Sequence, residues 1–312
     1  MHPDGSPTET ARVSQVNRPP VPPALVIAVA ILGVSWASIL VRWSGASAYV
    51  LAFWRLALSL GVVGAALTFT HGWRQLVEVR RSDLVLLALA GALLAFHFVT
   101  FFTSLELTTV ASATLFVNLH PLFSAGLSVL VLRERPARGE WVGILVAIAG
   151  AAVIGGASLA MNPGAVKGNM LALVGAVLVA GYFVIGRLLR QGLGIWAYAG
   201  WVYFFAALIL LPFILGRGET LVDYPARDWW IFVGLAAGPM LLGHTGFNWA
   251  LRYVRAYIVN LAVLGEPIGA GLLAWWLLGG QEVPGPSTVL GGALILLGLA
   301  ISVYSRRERM RE

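Results

Sequence analysis

The chain has 312 residues, 59% of them hydrophobic and only 11% charged, with a mean hydropathy of +0.83, whereas an ordinary soluble domain is about a quarter charged. That balance excludes a soluble globular protein and points to a polytopic membrane protein. The absence of cysteine removes disulfides, iron–sulfur clusters, thiol nucleophiles and cysteine-based zinc sites.

Residues 1–23 are polar and then proline-rich (NRPPVPP), without hydrophobic periodicity, which predicts a disordered cytoplasmic tail. The triplet Ala46-Ser47-Ala48 matches a small-x-small cleavage site, but the apolar run from Ala24 to Val41 is longer than a signal core of about 7 to 15 residues, and Arg42 follows it. That run is read as the first membrane span. Crossing about 30 Å of hydrocarbon takes about 20 apolar residues. Ten such runs follow one another: 24–42, 47–70, 83–105, 109–132, 139–159, 168–190, 193–216, 229–252, 256–279 and 287–305. A basic tail, 306–312, is expected on the cytoplasmic side. None of the runs alternates with the period of two of a barrel strand. A hydrocarbon span must satisfy its own backbone hydrogen bonds, so the predicted fold class is all-α integral membrane.

Polar residues interrupt these spans in turn. The first span carries Trp36. The second holds Arg55 about eight residues from its outer end, where the guanidinium either snorkels outward or pairs with a substrate carboxylate. The third contains His97. The fourth reads TLFVNLHPLFSAG over 114–126 and places Asn118, His120 and Pro121 near its middle. Tyr182 lies in the sixth, His244 and Asn248 in the eighth, and Asn260, Glu266 and Pro267 in the ninth.

An ionisable group at the bilayer centre costs about 2.5 to 3.5 kcal/mol on insertion scales and usually faces a cavity or a partner. Proline lacks an N–H, frees a carbonyl one turn back and tends to kink the helix. His97, Asn118, His120, His244, Asn248, Asn260, Glu266, Arg55, Trp36 and Tyr182 are therefore candidate residues of a substrate pathway, with Pro121 and Pro267 as hinges. The competing reading is that His120 and Glu266 merely fix a helix crossing through hydrogen bonds and that the other histidines pack. Trp201, Tyr203, Trp249, Trp275 and Trp276 join Trp36 and Tyr182 as candidate aromatic walls, though aromatics also fill helix interfaces.

Orientation follows from the basic residues. With a cytoplasmic N-terminus, the inside segments hold 16 arginines, whereas the outside segments keep Arg42, Lys167, Arg217 and Arg227. That bias predicts both termini inside. The net charge of +7 then needs no nucleic acid. Trp43, Trp73, Trp141, Trp196, Trp229 and Trp230 fall near span ends, where indole rings favour the headgroup region.

The chain also repeats itself. At an offset of about 147, GALLAFH (91–97) falls on GPMLLGH (238–244), pairing Gly91 with Gly238 and His97 with His244. One gap later NLHPLFSAGL (118–127) meets LGEPIGAGLL (264–273), pairing His120-Pro121 with Glu266-Pro267. Gly143 and Gly150 then meet Gly291 and Gly298, and Trp36 falls on Tyr182. Because each repeat, 24–160 and 168–305, holds five helices, the second must cross the membrane in the opposite sense. Such inverted repeats are typical of secondary transporters, whose sites lie near the midplane between the halves. The glycines recur every seven residues on one face, which close backbone packing explains without a ligand.

This arrangement resembles the drug/metabolite transporter superfamily, specifically the EamA-type exporters. The resemblance covers residues 24–305. It is carried by FWRLALSL, by NLHPLFSAGLSVLVLRERP and its echo GEPIGAGLLAWWLLGGQEVP, and by the glycine-spaced WVGILVAIAG and VLGGALILLG. It is most similar to amino-acid exporters of the YddG type, except that His120 stands where that pattern has an aromatic before the proline. The resemblance implies a small-molecule substrate, membrane lipid as the surrounding partner, a monomer or weak homodimer, and the bacterial inner membrane.

No H-E-x-x-H, catalytic cysteine or large lumenal loop supports an intramembrane enzyme, and no G-x-x-x-x-G-K-[ST] supports ATP-driven transport. No cofactor or metal is expected. Organic-phosphate carriers need cations to hold phosphates, yet the spans hold one clearly intramembrane arginine and no lysine. Export of neutral or zwitterionic metabolites fits better, with amino acids, aromatic ones included, as the expected class. The alternative is a proton-coupled efflux carrier for drugs or other metabolites, since His97, His120, His244 and Glu266 are groups able to carry protons.

Overall fold

In hydrocarbon a long apolar run settles into a helix, because every N–H then finds a carbonyl within its own segment. The computed structural model describes residues 19, 21–132, 138–161, 163–190, 192–250, 253, 259 and 262–309, with backbone alone for 128–132, 158–161, 281 and 306–309. Among the described residues there is no strand.

The membrane helices in chain order are α1, Pro23–Trp43; α2, Ala48–Phe69; α3, Arg81–Leu107; and α4, Val110–Val117 continued by His120–Leu132. They continue with α5, Arg138–Met161; α6, Pro163–Leu189; α7, Ile195–Gly216; α8, Ala226–Ala250; α9, Gly265–Leu278; and α10, Pro286–Arg309. Among the described residues, nine are long and apolar enough to span a membrane. The shorter α9 is the described part of the tenth. The expected beginning of that ninth span, with Asn260, lies outside the described residues, as do the tail 1–18, residues 133–137 and residues 310–312. A short helix between α2 and α3, Trp73–Val77, has no counterpart among the predicted spans.

Local chemistry sets the ends. Pro23, Pro163 and Pro286 open α1, α6 and α10, at a position where the missing N–H would be unpaired anyway. The Ser47 and Thr109 side chains accept hydrogen bonds from Val50 N and Ser112 N and so cap α2 and α4.

Two five-helix repeats of inverted topology pack around a pseudo-twofold relation. The helices α5 and α10, α2 and α7, and α4 and α9 each pack against their own counterpart. Other cross-repeat pairings come in mirrored couples: α3 with α6 and α8 with α1, α3 with α7 and α8 with α2, α4 with α6 and α9 with α1. The outlying pair is the tightest. A Cβ on Gly150 of α5 would lie 2.5 Å from the Gly291 carbonyl oxygen of α10, and one on Gly291 2.6 Å from that of Gly150. Gly143 and Gly298 face each other in the same way. Side chains such as Leu145, Ile148, Leu272 and Leu290 point outward, where lipid takes the place of a core.

Candidate functional site

Among the described residues four of the helices depart from α geometry, and each departure flanks the same cavity. In α1 the helix breaks at Trp36, just after the Ser35 hydroxyl donates back to the Ile31 carbonyl at 2.8 Å, a bond that favours bending. In α4 the helix stops at Asn118 and Leu119, because Pro121 has no N–H for the Val117 carbonyl and its ring crowds that oxygen. Leu119 N bonds the Phe116 carbonyl instead, at 3.2 Å. In α8 the segment Ala236–Thr245, with Pro239 inside it, is π-helical. In α9 a turn at Leu264 precedes Glu266 and Pro267. Irregular backbone at membrane depth persists only where it is buried in protein or lines a cavity.

The cavity is bounded by Val34 and Ala37 beside the first break, Val117, Asn118 and His120 around the second, Pro239 and His244 in the π segment, and Val263 and Glu266 around the fourth. Phe247 of α8 also lines it, and unbroken helices add Arg55 of α2, His97, Phe98 and Phe101 of α3, and Val179 and Phe183 of α6. It leaves about 50 Å³ to the centres of water-sized molecules. One water needs about 10–15 Å³ by that measure, so this conformation has room for a few waters.

The polar groups are held from both repeats. Asn118 Nδ2 donates to the Thr114 carbonyl at 2.9 Å and across the interface to Glu266 Oε2 at 3.3 Å. Glu266 stands in the first turn of α9, where the helix dipole favours a negative charge. His97 Nδ1 lies 2.9 Å from the Gly175 carbonyl of α6. A carbonyl only accepts, so Nδ1 carries the proton, and in the neutral ring Nε2 is left as an acceptor. Asn118 Oδ1 and His120 Nδ1 are buried with no hydrogen-bond partner among the described residues.

Arg55 is 2% exposed. Its guanidinium carbon lies 4.1 Å from the centre of the Phe98 ring, a cation–π placement worth about 0.5–2 kcal/mol, and Nε donates to Met240 Sδ at 3.4 Å. Among the described residues no carboxylate reaches Arg55 within ion-pair distance. The structure thus gathers Arg55, His97, Asn118, His120, His244 and Glu266 around one space, with the two prolines at the breaks beside it.

Other candidates fall elsewhere. Trp36 is 37% exposed, with its ring 6.4 Å from that of Trp43, so it turns away from the cavity. Tyr182 is buried behind the wall, 3.5 Å from Asn248 Nδ2, which also donates to the His244 carbonyl at 2.9 Å. Its neighbour Phe183 faces the cavity instead, because one residue along a helix turns the side chain by about 100°. Trp275 and Trp276 point outward, Tyr203 pairs with Thr245, and Trp201 donates to the Leu76 carbonyl. Phe98, Phe101 and Phe183 were missed as wall residues. For Phe101 the available signal was its spacing on a helix face already marked, four residues after His97.

A family model described as the EamA-like transporter family matches this chain twice, over residues 23–156 and 166–304. The chain is 27% identical to the uncharacterized transporter YwfM of Bacillus subtilis over 85% of its own length and 88% of the relative's. It is 28% identical to a probable terminal-alkyne amino-acid exporter of Streptantibioticus cattleyicolor, over 82% of this chain and 86% of that one. Against the pseudopaline exporter CntI of Pseudomonas aeruginosa the identity is 27%, over 71% and 75%. One crystal structure superposes with a TM-score of 0.64 at 26% identity, over 92% of this chain and 98% of its own.

Proposed function

The chain belongs to the EamA-like transporter family, and from that premise we propose that it exports small neutral or zwitterionic metabolites, amino acids foremost and aromatic ones among them, by alternating access. As a member of that family it is a multi-pass membrane transporter rather than an enzyme. Its setting in this reading is a bacterial inner membrane with both termini in the cytoplasm.

The observation that carries the proposal is the cavity's charge pattern. Among the described residues it holds one guanidinium without a carboxylate partner, one carboxylate, two unpartnered acceptor-capable atoms and a wall of phenylalanines. An amino acid supplies the complements: its carboxylate to Arg55, whose planar fork suits that group, and its ammonium to Glu266 and Asn118 Oδ1. The side chain would meet Phe98, Phe101 and Phe183. Among the described residues a phosphate monoester would find a single arginine there, with the Glu266 carboxylate on the same cavity wall. The probable terminal-alkyne amino-acid exporter among the similar proteins supports the same class. The space for a few waters is too small for such a solute, so transport requires the broken helices around it to move, with Pro121 and Pro267 at the bends.

Reconstituted into liposomes, the protein alone should release preloaded leucine or phenylalanine without any covalent product. Release of sugar phosphates with amino acids ignored would defeat the reading. Three histidines and Glu266 around one cavity also favour proton coupling as a second reading. Flux measured with and without an imposed pH gradient separates exchange or uniport from proton antiport.

A further inference from the structure

On the face where α1 ends and α4 begins, predicted to be external, several elements converge on one ion pair outside the cavity. Arg42 Nη2 lies 2.5 Å from Glu282 Oε1 and donates to the Thr108 carbonyl at 2.9 Å. Glu282 Oε2 accepts from the Val110 amide at 2.8 Å. The Thr108 hydroxyl donates onward to Asn169 Oδ1 in the second turn of α6, at 3.0 Å. Exposed ion pairs contribute little, but the Glu282 side chain is only 6% exposed although it sits in a connection between helices. Each of its oxygens has a separate donor. The network joins the end of α1 and the α3–α4 connection, both of the first repeat, to α6 and the α9–α10 connection of the second.

The position is as telling as the bonding. Arg42 follows the cavity residue Ala37 by five positions, about 7.5 Å along a helix. Val110 precedes the cavity residue Val117 by seven, about 10 Å. Between the two levels Ile39, Val41, Ala113 and Thr114 are buried, so packed side chains lie along both helices from the cavity to the network. Two further links close the same face beside it: the Ser44 hydroxyl donates to Asp228, and the Trp54 indole to the Leu221 carbonyl.

The sequence repeats these elements for the opposite face. Glu134 and Pro136 after α4 match Glu282 and Pro284 after α9 at an offset of 148, the same offset that brings Gly143 onto Gly291. Arg187 and Arg190 stand at the end of α6 as Arg42 stands at the end of α1.

We propose that Arg42, Glu282 and the backbone groups of Thr108 and Val110 form a latch that holds the cavity shut toward this face, and that the transporter opens there when the latch parts. The proposal rests on the transport reading, but its test needs no solute. Because the chain has no cysteine, Val179→Cys in the cavity wall supplies a single thiol, probed with a membrane-impermeant maleimide on intact cells and, separately, on inverted vesicles. Arg42→Gln and Glu282→Gln should each raise the labelling rate from one side by about tenfold, the effect of about 1.4 kcal/mol lost from the closed state. The double variant should label no faster than about either single one, since both remove the same pair. Glu282→Asp, which keeps the charge and loses reach to one donor, should give a smaller rise; it carries the test if Glu282→Gln fails to accumulate as folded protein.

The side that shows the rise reports the orientation independently. Unchanged labelling from both sides, or fully additive effects, overturns the latch and leaves the substrate reading standing. Absence of amino-acid flux with the labelling result intact does the reverse.

Discussion

Asn118 and Glu266 meet across the repeat interface at 3.3 Å, and His120 lies one residue past the break that Pro121 imposes. If these groups only held α4 against α9, removing them would lower stability first, and flux would fall in proportion to folded protein. As parts of a pathway they behave otherwise. His120→Ala and Glu266→Gln should each cut liposome flux per folded molecule by at least about tenfold, 1.4 kcal/mol on the transport barrier, while the melting temperature in detergent moves by no more than about 4 °C, the scale of 1 kcal/mol in a chain of this size. Wild-type flux per folded molecule in both variants would assign the residues to packing. These polar residues were legible in the sequence because an ionisable group in hydrocarbon is costly and so carries information. The aromatic wall was not. A phenylalanine is equally at home in lipid, in a helix interface or in a cavity, and only its angle around the helix, as between Tyr182 and Phe183, separates the three.

At the scale of the helix, two kinds of special residue predict opposite phenotypes. Gly150 packs on Gly291 with no room for a Cβ, so Gly150→Val should overpack the α5–α10 seam and destabilise by about 1–3 kcal/mol, visible as a lower melting temperature and yield with flux per folded molecule unchanged. Pro121→Ala restores an N–H for the Val117 carbonyl and lets the α4 break close. That variant should keep or raise the melting temperature and lose flux severalfold; equal flux would remove the break at Asn118 and Leu119 from the transport cycle. Except for the ninth span, whose beginning lies outside the described residues, the spans could be read to within about five residues, since length and hydropathy decide them. The π segment of α8 could not. Pro239 stands in that segment, but whether a proline kinks a helix, breaks it or widens it to π depends on what packs against it, here α1 with Gly33 pressed on the Gly238 carbonyl.

For the whole molecule, the arginine bias predicts which loops face outward. With the native chain free of cysteine, Val222→Cys in the α7–α8 connection should react with an impermeant thiol reagent added to intact cells, and Arg80→Cys before α3 should not; the reverse pattern would invert the orientation. Much of the molecule was present in the sequence alone: an all-helical membrane chain, ten spans, an odd-numbered repeat and therefore inversion, and the glycine seam between α5 and α10. These follow from one-dimensional quantities, namely apolar length, charge placement and periodicity, because the bilayer imposes the third dimension. What only the tertiary structure decided is which polar residues share a space. Arg55, His97, Asn118, His120, His244 and Glu266 are spread over five helices and 212 positions, and the departures of α1, α4, α8 and α9 from α geometry coincide at their level. The pairing of Arg42 with Glu282 across 240 positions belongs there too. Such meetings depend on helix rotation and tilt, set by the packing of all ten helices at once, and no single stretch of sequence contains them.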